Sequence, residues 1–115
     1  MPAITRILDT ESVPSLAAYL ESGGGNGLAA ARALGPAATI DEVTAAGIRG
    51  RGGAGFPTGV KWRTVAANAS DVERSTVVVN AAEGEPGSFK DRELLDRNPY
   101  RVLEGALIAA LAIGA

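Results

Sequence analysis

The sequence predicts an α/β domain, and three observations carry that expectation. The run STVVVN, residues 75–80, holds three successive β-branched residues and reads as a strand buried on both faces. Segments with helical caps and helical apolar spacing lie on either side of it. Two loops rich in glycine, GIRGRGGAGFPTGVKW (47–62) and NAAEGEPG (80–87), stand where a ligand can be held.

The elements follow in order. ITRILD (4–9) is a short leading strand. VPSLAAYLESGGG (13–25) places Leu16, Ala17 and Leu20 at helical spacing after a cap at Ser12, and Gly23 to Gly25 end the helix. NGLAAARALG (26–35) opens at an Asn26 cap and closes at Gly35 and Pro36, because proline cannot continue a helix. TIDEVTAAG (39–47) carries a capping box, Thr39 with Glu42, and predicts a helix from Ile40 to Ala46 closed by Gly47. PTGVKWRTVAANA (57–69) is a helix beginning at or just after Pro57, a residue suited to a first turn. A short helical stretch runs from Lys90 to Arg97. The last element, NPYRVLEGALIAALAIGA (98–115), has Asn98 as cap, Pro99 at its first position and a glycine at 114 to begin a C-cap.

Composition narrows the chemistry. At 115 residues the chain is about one domain long. It contains no Cys, so thiolate metal sites and cysteine-ligated clusters are excluded within it, and no His, which removes the commonest general base. A net charge of −2 leaves no electrostatic footprint for nucleic acid. The apolar run from Ala106 to Ala115 is about half of the ~20 residues a spanning helix needs, so no direct membrane insertion is expected. The first residues lack the apolar run of a signal peptide, which makes the cytoplasm the expected location.

What remains for function is backbone, carboxylates and a few cations. Gly50, Gly52 and Gly55 match G-x-G-x-x-G, but the dinucleotide fingerprint needs a strand immediately before and an acid about 20 residues later at the end of the next strand; here a helix cap and helical spacing precede the loop, and the following strand ends in Asn80. The physical content is independent of that label. Glycines let the main chain approach a flat or phosphorylated ligand, and successive amides make an anion nest. Arg49 and Arg51 add planar, charge-assisted donors. Lys61 lies about one turn past Pro57, near a helix start that itself favours anions. A flexible linker would be expected to favour serine and proline spacing over Phe56-Pro57 with Trp62 close behind. In the second loop Asn80 stands where the strand runs out, and Glu83 and Glu85 project from a turn. Lys90, Asp91 and Arg92 are assigned to structure, and Trp62 and Tyr100 to packing.

Taken together, the three stretches GIRGRGGAGFPTGVKW, VVVNAAEGEPGSFKDRELL and NPYRVLEGALIAALAIGA resemble the NADH-binding flavoprotein, the 51 kDa subunit, of respiratory complex I and related NAD-reducing hydrogenases and formate dehydrogenases. The likeness runs from about Gly47 to Ala115. It implies a Rossmann-like FMN- and NADH-binding domain, represented by its N-terminal part over 39–115, with 1–38 as an N-terminal helical extension. It implies that Gly50, Gly52, Lys61 and Asn80 contact FMN, with Arg51 among the cofactor-binding donors. Gly52, Gly53, Phe56, Lys61 and Glu85 would line the NADH side. Glu83 would sit near the flavin as the catalytic carboxylate and bias its redox poise by charge. Hydride would pass from NADH to FMN, then single electrons to a 4Fe-4S cluster beyond these residues and to iron–sulfur partner subunits. One position departs from the family: Ala82 stands where an aspartate is usual, removing an acceptor. A nucleotide-binding module without redox chemistry is the alternative reading.

Overall fold

The computed structural model describes residues 7–115. Six helices make up its regular structure: α1 (Leu16–Glu21), α2 (Asn26–Leu34), α3 (Pro36–Ala45), α4 (Thr58–Ala67), α5 (Lys90–Arg97) and α6 (Pro99–Ile113). The long apolar helix α6 is the spine, and α2, α3, α4 and α5 all pack against it. Their contact buries Ala31, Ile40, Ala112 and Ile113, while Tyr19 of α1 is buried against Gly24 and stacks on Tyr100 of α6 at 5.8 Å. The radius of gyration is 15.5 Å, against roughly 13 Å for a compact chain of this length. The chain is therefore less compact than its length allows, and most residues of the two long loops are exposed.

Local chemistry explains where each helix begins. Helix α6 starts as its sequence dictates: the Asn98 side chain accepts from the Arg101 amide at 3.1 Å, and Pro99 occupies a first-turn position that needs no N–H. Gly114 ends it at φ +75°, and the Ala115 amide reaches back to the Ala110 carbonyl at 2.9 Å. Helix α1 is capped by Ser15, whose hydroxyl accepts from the Ala18 amide at 3.1 Å, and not by Ser12. Helix α3 also begins earlier than expected. Pro36, after Gly35 at φ +85°, already fits a first turn, so Thr39 lies one turn inside. Its hydroxyl donates back to the Gly35 carbonyl at 2.7 Å, and no Thr39–Glu42 capping box forms.

Helix α2 borrows its cap. Gly25 occupies the cap position at φ +86° and Asn26 is already helical, so the chain offers no side-chain acceptor there. Glu104 of α6 supplies one: its carboxylate accepts from the Gly25 and Leu28 amides, each at 2.9 Å, and from the Tyr19 hydroxyl. Burial alone would raise the Glu104 carboxyl. The hydrogen bonds from Tyr19 and from the α2 amides outweigh burial and hold it below the usual glutamate range. Burial and the adjoining carboxylate push the Tyr19 hydroxyl up.

The strand expectation is corrected. Residues 75–80 carry no regular secondary structure, and among the described residues no strand pairs with them, so the expected strand is not formed here. β-Branched residues favour extended backbone, yet a strand is defined by its ladder, and a ladder needs a partner. The leading-strand expectation lies mostly outside the described residues, and 7–9 are irregular. Among the described residues no helix is long and apolar enough to cross a membrane.

Candidate functional site

The glycine loop is closed at its neck. Arg49 and Pro57 form an isolated antiparallel bridge, in which the Gly50 amide donates to the Phe56 carbonyl and the Thr58 amide to the Ile48 carbonyl, both at 2.9 Å. The Arg49 guanidinium braces the bend by donating to the Gly55 carbonyl at 3.1 Å. Inside the neck, Gly53 (φ +106°) and Gly55 (φ +62°) hold backbone that side-chain-bearing residues rarely adopt. A Cβ at Gly52, Gly53 or Gly55 would meet only open space. The amides of Arg51 to Gly55 donate to no protein acceptor among the described residues. Such a row of unpaired donors is what an anion or the polar edge of a ring requires.

The neck leads directly into α4. Pro57 caps this helix without a side-chain hydrogen bond; the Thr58 amide is used in the bridge, and the Gly59 and Val60 amides have no protein acceptor among the described residues. Gly59 permits the approach of α4 to α3, because a Cβ there would come within 2.9 Å of the Thr44 backbone. This tertiary role of Gly59 is not legible in the sequence, where it reads as one more loop glycine. Lys61 follows one turn into α4 and is exposed.

Gly50, Phe56 and Lys61 meet at one cavity of about 510 Å³. Trp62 shares its wall, Thr76 to Val78 of the valine-rich segment form another side, and Ala109 and Ile113 of α6 contribute apolar surface. A smaller hollow of about 360 Å³ lies against Phe56 and Lys61 as well, bounded by Thr64 and Val65. Trp62, expected to pack, therefore also borders the opening. The sequence does not single out Ala109 and Ile113 for the site; their apolar spacing marks only a buried helix.

Arg51, Gly52 and Gly53 stand on the exposed part of the loop and do not line this cavity, and neither do Asn80, Glu83 or Glu85. Asn80 folds into a local turn in which its side-chain oxygen accepts from the Ala82 amide at 2.9 Å. Glu83 is half-buried and engaged. One carboxylate oxygen accepts from the Asp91 amide at 2.9 Å and the Ser88 hydroxyl at 3.3 Å, and the other accepts from the Arg92 amide at 3.2 Å. Those amides open α5, whose cap position is held by Phe89 with no acceptor to offer. Glu85 is exposed, and its side chain has no hydrogen-bond or ion-pair partner among the described residues. Lys90, Asp91 and Arg92 behave as structural residues. Lys90 pairs with Asp91 at 3.0 Å, a hydrogen bond that raises its ammonium pKa, and the Arg92 guanidinium lies 5.8 Å from the Phe89 ring centre.

Comparison with known proteins covers both loops. The profile of the Nuo51 FMN-binding domain matches residues 43–115. The NADH-quinone oxidoreductase F subunit of Rhodobacter capsulatus is 48% identical over 101 residues, covering 88% of this chain and 23% of the relative. The corresponding protein of Aquifex aeolicus is 44% identical over 103 residues, covering 90% of this chain and 24% of the relative. That of Rickettsia typhi is 53% identical over 76 residues, covering 66% of this chain and 18% of the relative. The chain thus spans about a quarter, or less, of the length of these relatives. With the profile covering more than half of the chain, both glycine-rich loops included, this chain belongs to the Nuo51 FMN-binding domain family.

Proposed function

We propose that the chain is the part of an NADH dehydrogenase flavoprotein that holds FMN and NADH between the glycine loop and the loop after Asn80. The observation that carries this reading is the closed loop. Its two ends, Gly50 and Phe56, line the same cavity as Lys61, while the five amides between them lack protein acceptors among the described residues. The cavity volume falls within the roughly 300–1,000 Å³ of small-molecule sites, and the donor set suits a flat, polar-edged, phosphorylated cofactor.

In this reading Gly50, Gly52, Lys61 and Asn80 hold FMN, with Arg51 adding charge-assisted donors. Lys61 contributes a positive charge one turn into α4, close to the open amides of that helix. Asn80 keeps its side-chain NH₂ group available, since only its oxygen is used in the local turn. Gly52 and Gly53 give the nucleotide backbone without side chains to lie against. Phe56 offers an aromatic face, and Glu85 an unpaired carboxylate. Bound FMN supplies a two-electron acceptor that releases electrons singly, here toward an iron–sulfur centre outside these residues and toward partner subunits of a larger assembly. In this reading 39–115 are the N-terminal part of a Rossmann-like α/β domain in which the valine-rich residues 75–80 gain a strand partner, with 1–38 as a helical extension. The assembly is proposed to sit in the cytoplasm, at most peripheral to a membrane.

The test is flavin-dependent turnover of NADH by the full gene product with an artificial acceptor. Lys61→Ala is expected to weaken FMN retention about tenfold or more, the scale of a lost charge-assisted contact, and Glu85→Ala to raise KM for NADH. Turnover unaffected by both substitutions overturns the site. A second reading, nucleotide binding without redox chemistry, is favoured by Ala82, which leaves one acceptor fewer beside Asn80. A purified protein that binds NADH but lacks flavin absorbance would decide for it.

A further inference from the structure

Two carboxylates, Glu83 and Glu85, lie two residues apart on the second loop, yet their surroundings differ. Both oxygens of Glu83 are occupied by donors from the start of α5 and from Ser88. The segment from Glu83 to Asp91 is thereby tied into a closed loop, head to tail. Within it the Ser88 amide donates to the Glu85 carbonyl at 3.2 Å, Gly87 turns the chain at φ +76°, and Pro86 stiffens it. Glu85 rides on this tied loop with its own carboxylate unpaired among the described residues.

We infer that Glu83 is a positioning residue, which fixes by its grip on the α5 amides the place from which Glu85 meets the nucleotide. Its effect on the reaction therefore passes through the loop, and not through its charge at the flavin. This rests on the proposed FMN and NADH reading and goes beyond it, since it divides the work of the two acids: one holds the loop, the other meets the ligand.

The experiment is a double-mutant cycle on NADH affinity in the FMN-loaded full gene product, using wild type, E83A, E83Q, E85A and E83A/E85A, with the flavin midpoint potential measured alongside. E83A is expected to weaken NADH about tenfold, the size of a lost helix cap. E83Q, which keeps an acceptor for the Asp91 amide but no charge, is expected to recover affinity to within about threefold of wild type. E83A/E85A should bind no more weakly than E85A, and the midpoint potential should move in neither Glu83 variant. Additive losses in the double variant overturn the inference, as does E83Q binding as weakly as E83A or a shifted potential in E83Q. If E83A does not fold, E83Q decides: affinity within about threefold with an unmoved potential supports positioning, and any other result refutes it. A wild-type protein that takes up neither FMN nor NADH refutes the underlying reading, and is distinguishable from every one of these outcomes.

Discussion

Glu104 and Glu83 perform the same local task in two different places. Each lends a carboxylate to a helix that has no acceptor at its own cap position, Gly25 before α2 and Phe89 before α5. Glu104 works from the spine helix, across more than 70 residues of sequence, where burial and the Tyr19 hydroxyl fix it among packed helices. Glu83 works from a loop eight residues away, with exposed residues on both sides. One cap therefore joins two layers of the fold, whereas the other shapes only its own loop. The same chemistry has structural weight in the first case, and in the second it sets the posture of a loop proposed to meet the nucleotide.

The contrast is broken most severely by Glu104→Ala. It leaves the Gly25 and Leu28 amides and the Tyr19 hydroxyl without their acceptor, and the loss expected in urea unfolding is about 3 kcal/mol, roughly 1 for each of the three hydrogen bonds at this half-exposed site. A loss comparable to that of Glu83→Ala would remove the distinction. The pH dependence sharpens the same point. Because the folded-state pKa of Glu104 is lowered from its ordinary 4.5, its contribution is complete above that value and is lost as pH falls through the lower, folded one. Tyr19 has the opposite sign: its pKa is raised from 10.0, so its contribution is complete below that value and lost as pH rises through the higher one. Glu104→Gln should flatten the acid limb of the stability profile, and Tyr19→Phe the alkaline limb.

Next in size is Gly59→Ala, which tests whether the helix cluster and the glycine loop are joined at the α3–α4 contact. The added methyl would press on the Thr44 backbone, and overpacking of this kind costs about 2 kcal/mol. Because α4 carries Lys61, weakened FMN retention should accompany the thermal shift; a shift without it would separate the two regions. Glu83→Ala is expected to cost only about 1 kcal/mol in global unfolding, the worth of a single helix cap. Hydrogen exchange should instead show the loss concentrated at the Asp91 and Arg92 amides. Smallest is Arg63→Ala, which removes a solvent-exposed pair with Asp41 and should change stability by less than about 0.5 kcal/mol.

Legibility in the sequence follows the range of the interactions involved. Helix α6 is readable from end to end because Asn98, Pro99 and Gly114 act on their own neighbours. The glycine loop and Lys61 are readable for the same reason: backbone freedom and helix starts are local properties. The caps of α2 and α5 are not, since no rule of local spacing points from Gly25 to Glu104, or assigns Glu83 to α5. The start of α3 is obscured because Gly35 and Pro36, which mark the stop of α2, also serve as the start of the next helix. The strand is unrealised because valine runs specify extension, while pairing depends on what lies alongside. Glu85 stands out in the sequence only as an acid on a turn; that it is the unengaged one of its pair is visible only once the donors around Glu83 are placed.

The bridge between Arg49 and Pro57 makes the glycine loop a separable unit. The bridge's own hydrogen bonds do not involve residues 51–55, and the Arg49 brace reaches only Gly55, so lengthening 51–54 adds mainly closure entropy, about 0.6 kcal/mol for each doubling. Insertions or exchanges there should leave the helical scaffold folded while altering what the loop can embrace. The conformation of residues 51–55 can therefore vary without unfastening the neck that carries them.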